Sequence, residues 1–63
     1  MENYRRGERV ELVHTTDPYT ELRPGDTGSV KRYDCRLRKL YVAWDGGSGL
    51  ALLFDGGDAV RRI

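Results

Sequence analysis

"KLYVAWDGGSGLALLF" spans residues 39–54, and its reading decides the fold. Leu40, Val42 and Trp44 alternate with Tyr41 and Ala43, a period of two that gives a strand one core face and one outer face. Residues 45–49, Asp-Gly-Gly-Ser-Gly, break the pattern. Asp-Gly and Gly-Gly pairs between apolar runs supply the positive φ of tight hairpin turns. The apolar run then resumes over Leu50–Phe54. The stretch therefore predicts two strands, 39–45 and 50–54, joined by a turn.

The same pattern extends outward in both directions. "TGSVKRYD" (27–34) predicts a strand with Gly28 and Val30 inward, joined to the next strand through a hairpin tip at Cys35-Arg36-Leu37. "ERVELVH" (8–14) predicts a first strand, with Val10 and Leu12 alternating against Arg9 and Glu11. "TTDPYTELRPGD" (15–26) between them reads as a long loop, because Asp17-Pro18 and Pro24-Gly25 are turn-forming pairs. After a turn at "DGGD" (55–58), "AVRRI" (59–63) supplies a short last strand. No window offers ten helix-forming residues at helical spacing. Five short strands with a long first loop predict an all-β fold, a small five-stranded SH3-like barrel, as one domain over 1–63 with 1–6 flexible. An OB-fold suits the chain less well, since it usually needs more residues and a helix. Barrel closure would leave no exposed strand edge.

Size and composition narrow the function classes. The chain has 63 residues, so it buries little surface and has marginal stability without a staple. Its single cysteine, Cys35, rules out an internal disulfide and suits a reducing cytoplasm. Zinc-ligand Cys/His spacing is missing, and no cofactor is expected. The longest apolar run, Leu50–Phe54, is too short to cross a bilayer. The opening residues lead into charged sequence rather than a signal peptide. The expected location is cytoplasmic, away from membranes. Eleven Lys and Arg against ten Asp and Glu give a net charge of +1, which exerts no global pull on nucleic acid. The distribution is less even. Lys31, Arg32, Arg36, Arg38 and Lys39 cluster on one hairpin, while Asp45, Asp55 and Asp58 follow later, predicting a basic end and an acidic end.

"ELRPGDTGSV" (21–30) poses the question of a phosphate-binding loop. Such loops place Lys-Ser or Lys-Thr after their last glycine, or three spaced glycines at the start of a helix. This stretch has neither and feeds a strand. Pro24-Gly25 makes the turn, Asp26 bonds its own backbone, and Gly28 allows close packing or a bulge at a barrel corner.

Several motifs act together. They are the Asp17-Pro18-Tyr19-Thr20 loop, the Gly25-Asp26-x-Gly28-x-Val30 turn, and Trp44-Asp45-x-Gly47-Ser48. With them the chain resembles a family of small bacterial proteins, domain of unknown function 4314, from Gly7 to about Leu52 and more loosely to Ile63. The resemblance implies an SH3-like barrel found in bacteria, often actinobacteria, their phages and mobile elements; it carries over no functional residue. Phe54 stands where that family usually has proline, and Arg62 where it usually has an apolar residue. The Gly-x-x-Gly-x-Val turn also resembles the KOW element of ribosomal and transcription-factor barrels.

Catalysis is not expected. His14, near Asp17, reads as a loop histidine capping backbone groups. Cys35 has basic neighbours but no partner base. Asp55 and Asp58 lack the spacing and closing Glu of a calcium loop. Two binding routes stand open. Tyr19 and Tyr41 are candidate contacts for an unidentified protein partner, which is the favoured reading, with Trp44 assigned to the core. Lys31, Arg32, Arg36, Arg38 and Lys39, interleaved with Tyr33 and Tyr41, are candidates for nucleic-acid binding through phosphate neutralisation and base stacking. Tyr19 is expected to cover the open end of the barrel, leaving Tyr41 the more available ring. The expected state is a monomer or weak homodimer.

Overall fold

The computed structural model describes residues 3–63. Five strands follow in order: β1 (Arg9–His14), β2 (Thr27–Asp34), β3 (Lys39–Trp44), β4 (Ala51–Leu53) and β5 (Ala59–Arg62), with a 3-10 turn at Phe54–Gly56 before β5. They form one antiparallel sheet in the order β4-β3-β2-β1-β5. The all-β class and the bounds of β2 are as the alternation predicts.

The alternating residues of β1, β2 and β3 meet on one face. Val10, Leu12, Val30, Leu40, Val42, Trp44 and Leu52 are all buried there, joined by Leu22 from the long loop. Trp44 lies in the core as expected, and its indole N–H donates to the carbonyl of Leu50 at 2.9 Å. Gly28 sits where β2 crosses β3 most closely. A Cβ there would lie 2.7 Å from both the Ala43 carbonyl and Val42 Cγ1, and 2.9 Å from Trp44 Cα. Packing therefore requires glycine at this position.

The sheet is not closed by a ladder between its outer strands. β4 has only three residues, and the 3-10 turn diverts the chain before β4 and β5 can pair. Residues 54–58 span the opening instead. Phe54 N–H donates to Arg38 O, Asp58 N–H donates to Leu53 O, and the Asp58 carboxylate accepts from the backbone N–H groups of Leu53 and Thr16. The strand edges are short rather than abolished, a different way to limit edge pairing.

A β-bulge at Lys31 shifts the β2–β3 register between Val30 and Arg32. Strict alternation would carry Arg32 to the core side. The extra residue instead sets Arg32 opposite Tyr41 and Tyr33 opposite buried Leu40. Tyr33 thereby joins Tyr4 and Phe54, with ring centroids 5.2 Å and 6.0 Å away, while Tyr4 and Phe54 lie 5.7 Å apart. Arg62 lies opposite buried Val10 on β5, places its guanidinium 4.3 Å over the Tyr4 ring, and bonds Glu8 and the Asn3 carbonyl. Tyr4 falls within the 1–6 segment that the sequence assigns as flexible; Met1 and Glu2 lie outside the described residues.

Candidate binding surfaces

The β2–β3 hairpin carries the cations named from sequence. Its turn is built by Asp34, whose Oδ1 accepts the N–H groups of Arg36 (3.0 Å) and Leu37 (3.2 Å). Lys31, Arg32 and Arg36 are exposed, and Lys39 is half-buried. Arg32 and Lys39 approach Tyr41, with their charged groups 4.6 Å and 5.0 Å from its ring centroid. Hydrogen bonding from Arg32, then from Lys39, holds the phenol pKa below its ordinary value against the opposing effect of desolvation. Tyr41 is thus a half-buried ring approached by two cations, not the open contact expected of it. Arg38 departs from the set: its guanidinium pairs with Asp55. Tyr33 departs too, since its ring belongs to the Tyr4–Phe54 cluster. Sequence reasoning missed Arg6. The bond from Gly7 N–H to Val30 O (2.7 Å) draws this exposed residue alongside the Lys31 bulge.

At the opposite end of the sheet, loop 15–26 meets loop 45–50 around a groove of about 490 Å³. Leu22 and Leu50 supply its apolar floor, while Tyr19, Glu21, Asp26 and Gly47 contribute to its rim. Short local bonds hold the loop. Asp17 Oδ1 accepts Tyr19 N–H at 2.8 Å, Thr20 Oγ1 accepts Leu22 N–H at 3.2 Å, and Asp26 Oδ2 accepts Arg23 N–H at 2.9 Å. These are the side-chain-to-backbone turns that Asp and Thr favour. They leave Tyr19 93% exposed, so it does not cover the sheet opening as predicted. The structure does not bring Tyr19 and Tyr41 into one site: Tyr41 sits with the hairpin cations and takes no part in lining the groove.

The predicted acidic end is relocated. Asp45 pairs with Arg9 (2.6 Å) and accepts from Thr27 Oγ1 (2.7 Å), Asp55 pairs with Arg38, and Asp58 caps backbone N–H groups. Arg9, then Thr27, hold the Asp45 carboxyl well below the usual carboxylate range. Acids with no cationic partner among the described residues include Asp17, Glu21 and Asp26, at the groove end. Sequence order alone does not reveal which carboxylates long-range register will pair.

The groups considered for catalysis are dispersed. His14 is exposed at the end of β1 and caps no backbone group among the described residues, while the Asp17 carboxylate holds Tyr19 N–H. Cys35 is an exposed free thiol on the hairpin turn. Among the described residues, no group of three or more His, Cys, Asp or Glu is placed to hold a metal ion, and no helix is long and apolar enough to cross a membrane.

A family model, domain of unknown function DUF4314, matches residues 1–63. The chain belongs to the DUF4314 family. Neither the comparison with curated proteins nor that with solved structures returned a match. Phe54 and Arg62 both lie against the same ring, Tyr4.

Proposed function

We propose that this DUF4314 chain is a non-catalytic binding module of the bacterial cytoplasm, chromosomal or carried by a phage or mobile element. Its partner is a protein, engaged through the groove beneath Tyr19. One observation carries this reading: a tyrosine 93% exposed beside a concave surface with a Leu22–Leu50 floor. An exposed aromatic normally carries a cost in solubility, and aromatic anchors beside apolar pockets dominate the energetics of protein interfaces. Tyr41, approached by Arg32 and Lys39, contributes nothing to that groove.

The test is selection of peptides by display on the folded chain, followed by amide NMR mapping. Selected peptides are expected to shift residues 19–26 and 46–50 and to bind the Tyr19→Ala variant more weakly. Peptides that bind this variant unchanged defeat the reading.

A second reading has its own observation. Arg32 and Lys39 both gather at the Tyr41 ring beside Lys31, a cationic and aromatic surface suited to single-stranded nucleic acid. Titration with short RNA and DNA would then shift residues 31–41, with shifts fading as salt rises. No shift at low salt eliminates it.

A further inference from the structure

We infer that the occupant of the Tyr19 groove is a second copy of this chain, which inserts its hairpin tip, Arg36-Leu37, so that molecules associate head to tail. This rests on the groove being the protein-binding site and names the partner.

Two features of the molecule are unexplained by its own fold, and they complement each other. The first is the groove. Glu21 makes no hydrogen bond and no ion pair among the described residues, and Asp26 uses only Oδ2 internally, for Arg23 N–H. No lysine or arginine lines the groove. Two carboxylates around one concavity without a counterion create a negative potential that favours a cation. The second feature is the hairpin tip. Leu37 is 57% exposed and lies beside exposed Arg36, whose guanidinium has no partner among the described residues. A convex tip bearing an apolar side chain and a guanidinium thus matches a concave site with an apolar floor, an acidic rim and an open tyrosine ring. Leu37 would cover Leu22 and Leu50, while Arg36 would meet Glu21 and stack on Tyr19. The near-neutral net charge of +1 gives little general repulsion between copies. A nucleic acid is a poor occupant here, since its phosphates would face Glu21 and Asp26.

Tip and groove are different surfaces at opposite ends of the sheet, so the contact is heterologous. It propagates as a chain instead of closing as a two-fold dimer. The interface is small, so association is weak and grows with concentration.

Sedimentation of the full chain tests this, with and without reductant and at increasing protein and salt concentration. The expected result is a sedimentation coefficient that rises with protein and falls with salt. Arg36→Glu alone and Glu21→Arg alone each lose association, because like charges then meet at the contact. An equimolar mixture of the two variants regains it, since each tip now meets a groove of opposite charge. Tyr19→Ala weakens association about two- to fivefold, and Leu37→Ser, which leaves every charge in place, weakens it as well. Amide spectra of each variant check folding.

A chain that stays monomeric throughout overturns the inference while leaving the groove reading to peptide selection. Association untouched by the charge substitutions, or no recovery on mixing, overturns it too. Association seen only without reductant assigns self-contact to Cys35 and has the same consequence.

Discussion

At the hairpin end, partners lie far apart in sequence: Arg38 with Asp55, Arg62 with Glu8, Tyr4 with Phe54. At the groove end, the ends of loop 15–26 are tied over long range, Thr16 to Asp58 and Gly25 and Asp26 to Leu12, but the bonds within it join residues two or three apart, such as Asp17 with Tyr19 and Asp26 with Arg23. These side chains of the hairpin end are therefore parts of the fold, and cannot change without consequence for stability. In the loop, Asp and Thr side chains shape the backbone, which frees Tyr19 and Glu21 from any structural duty. The Tyr4–Phe54 side of the hairpin end is built by tertiary contacts, whereas the middle of the loop, and the hairpin tip where Asp34 holds Arg36 and Leu37, are shaped by local bonds. Residues available for recognition follow the second pattern.

The largest expected effect would break both ends together. Gly28→Ala forces a methyl into the Ala43 carbonyl, Val42 and Trp44, at a cost of about 1–3 kcal/mol. In a domain whose total stability is about 3–5 kcal/mol, that leaves a visibly unfolded fraction. Urea denaturation checks it, and a loss well under 1 kcal/mol would show that β2 and β3 separate easily.

Tyr4→Ala comes next and separates the two ends. Removing the ring against Tyr33, Phe54 and Arg62 costs about 1–2 kcal/mol. Amides of residues 31–39 should shift while those of 19–26 stay in place. Equal shifts at both ends would refute the division.

A smaller effect sharpens the comparison through pH. Asp45 has a folded pKa depressed by Arg9 and Thr27, so its contribution to stability is complete above the unfolded Asp value of about 3.9. It declines as pH falls through the lower folded value. Glu8 and Asp58 are depressed as well and act in the same direction. The melting temperature should therefore drop below about pH 4, and Asp45→Asn should flatten that dependence. The Arg9–Asp45 pair is half-exposed, so added salt should shrink the difference.

The smallest expected effect is at the groove. Tyr19→Ala and Glu21→Gln should each change stability by no more than about 0.5 kcal/mol, because neither side chain supports the fold. A larger loss by thermal denaturation would mean that the loop depends on them after all.

Much of the fold could be read from the sequence, because period-two alternation and turn residues are local signals. The alternation delimits β2 at Thr27 and Asp34, the parity of Trp44 with Leu40 and Val42 places it in the core, and Gly28 reads as a close approach or a bulge, of which the structure shows the close approach. Barrel closure was not legible as absent: Leu53 and Phe54 look alike as apolar residues, yet β4 ends at one and the 3-10 turn begins at the other. The candidate sites were harder to read. Lys31 carries no mark of a bulge, so Tyr33 and Tyr41 looked equivalent. The Arg9–Asp45 pair spans 36 positions, and the groove joins two separate loops. Both depend on register, which composition does not encode.

The bulge at Lys31 also acts as a reading frame for the outer half of β2. Flattening it with Lys31 kept in the ladder would return Arg32 to the phase of Val30 and exchange the faces of Arg32 and Tyr33 without altering either side chain, whereas deleting Lys31 would leave Arg32 opposite Tyr41 in a regular ladder. In sequences related to this one, the number of residues between Val30 and the hairpin turn would then tell whether a bulge is needed to keep the cationic face outward.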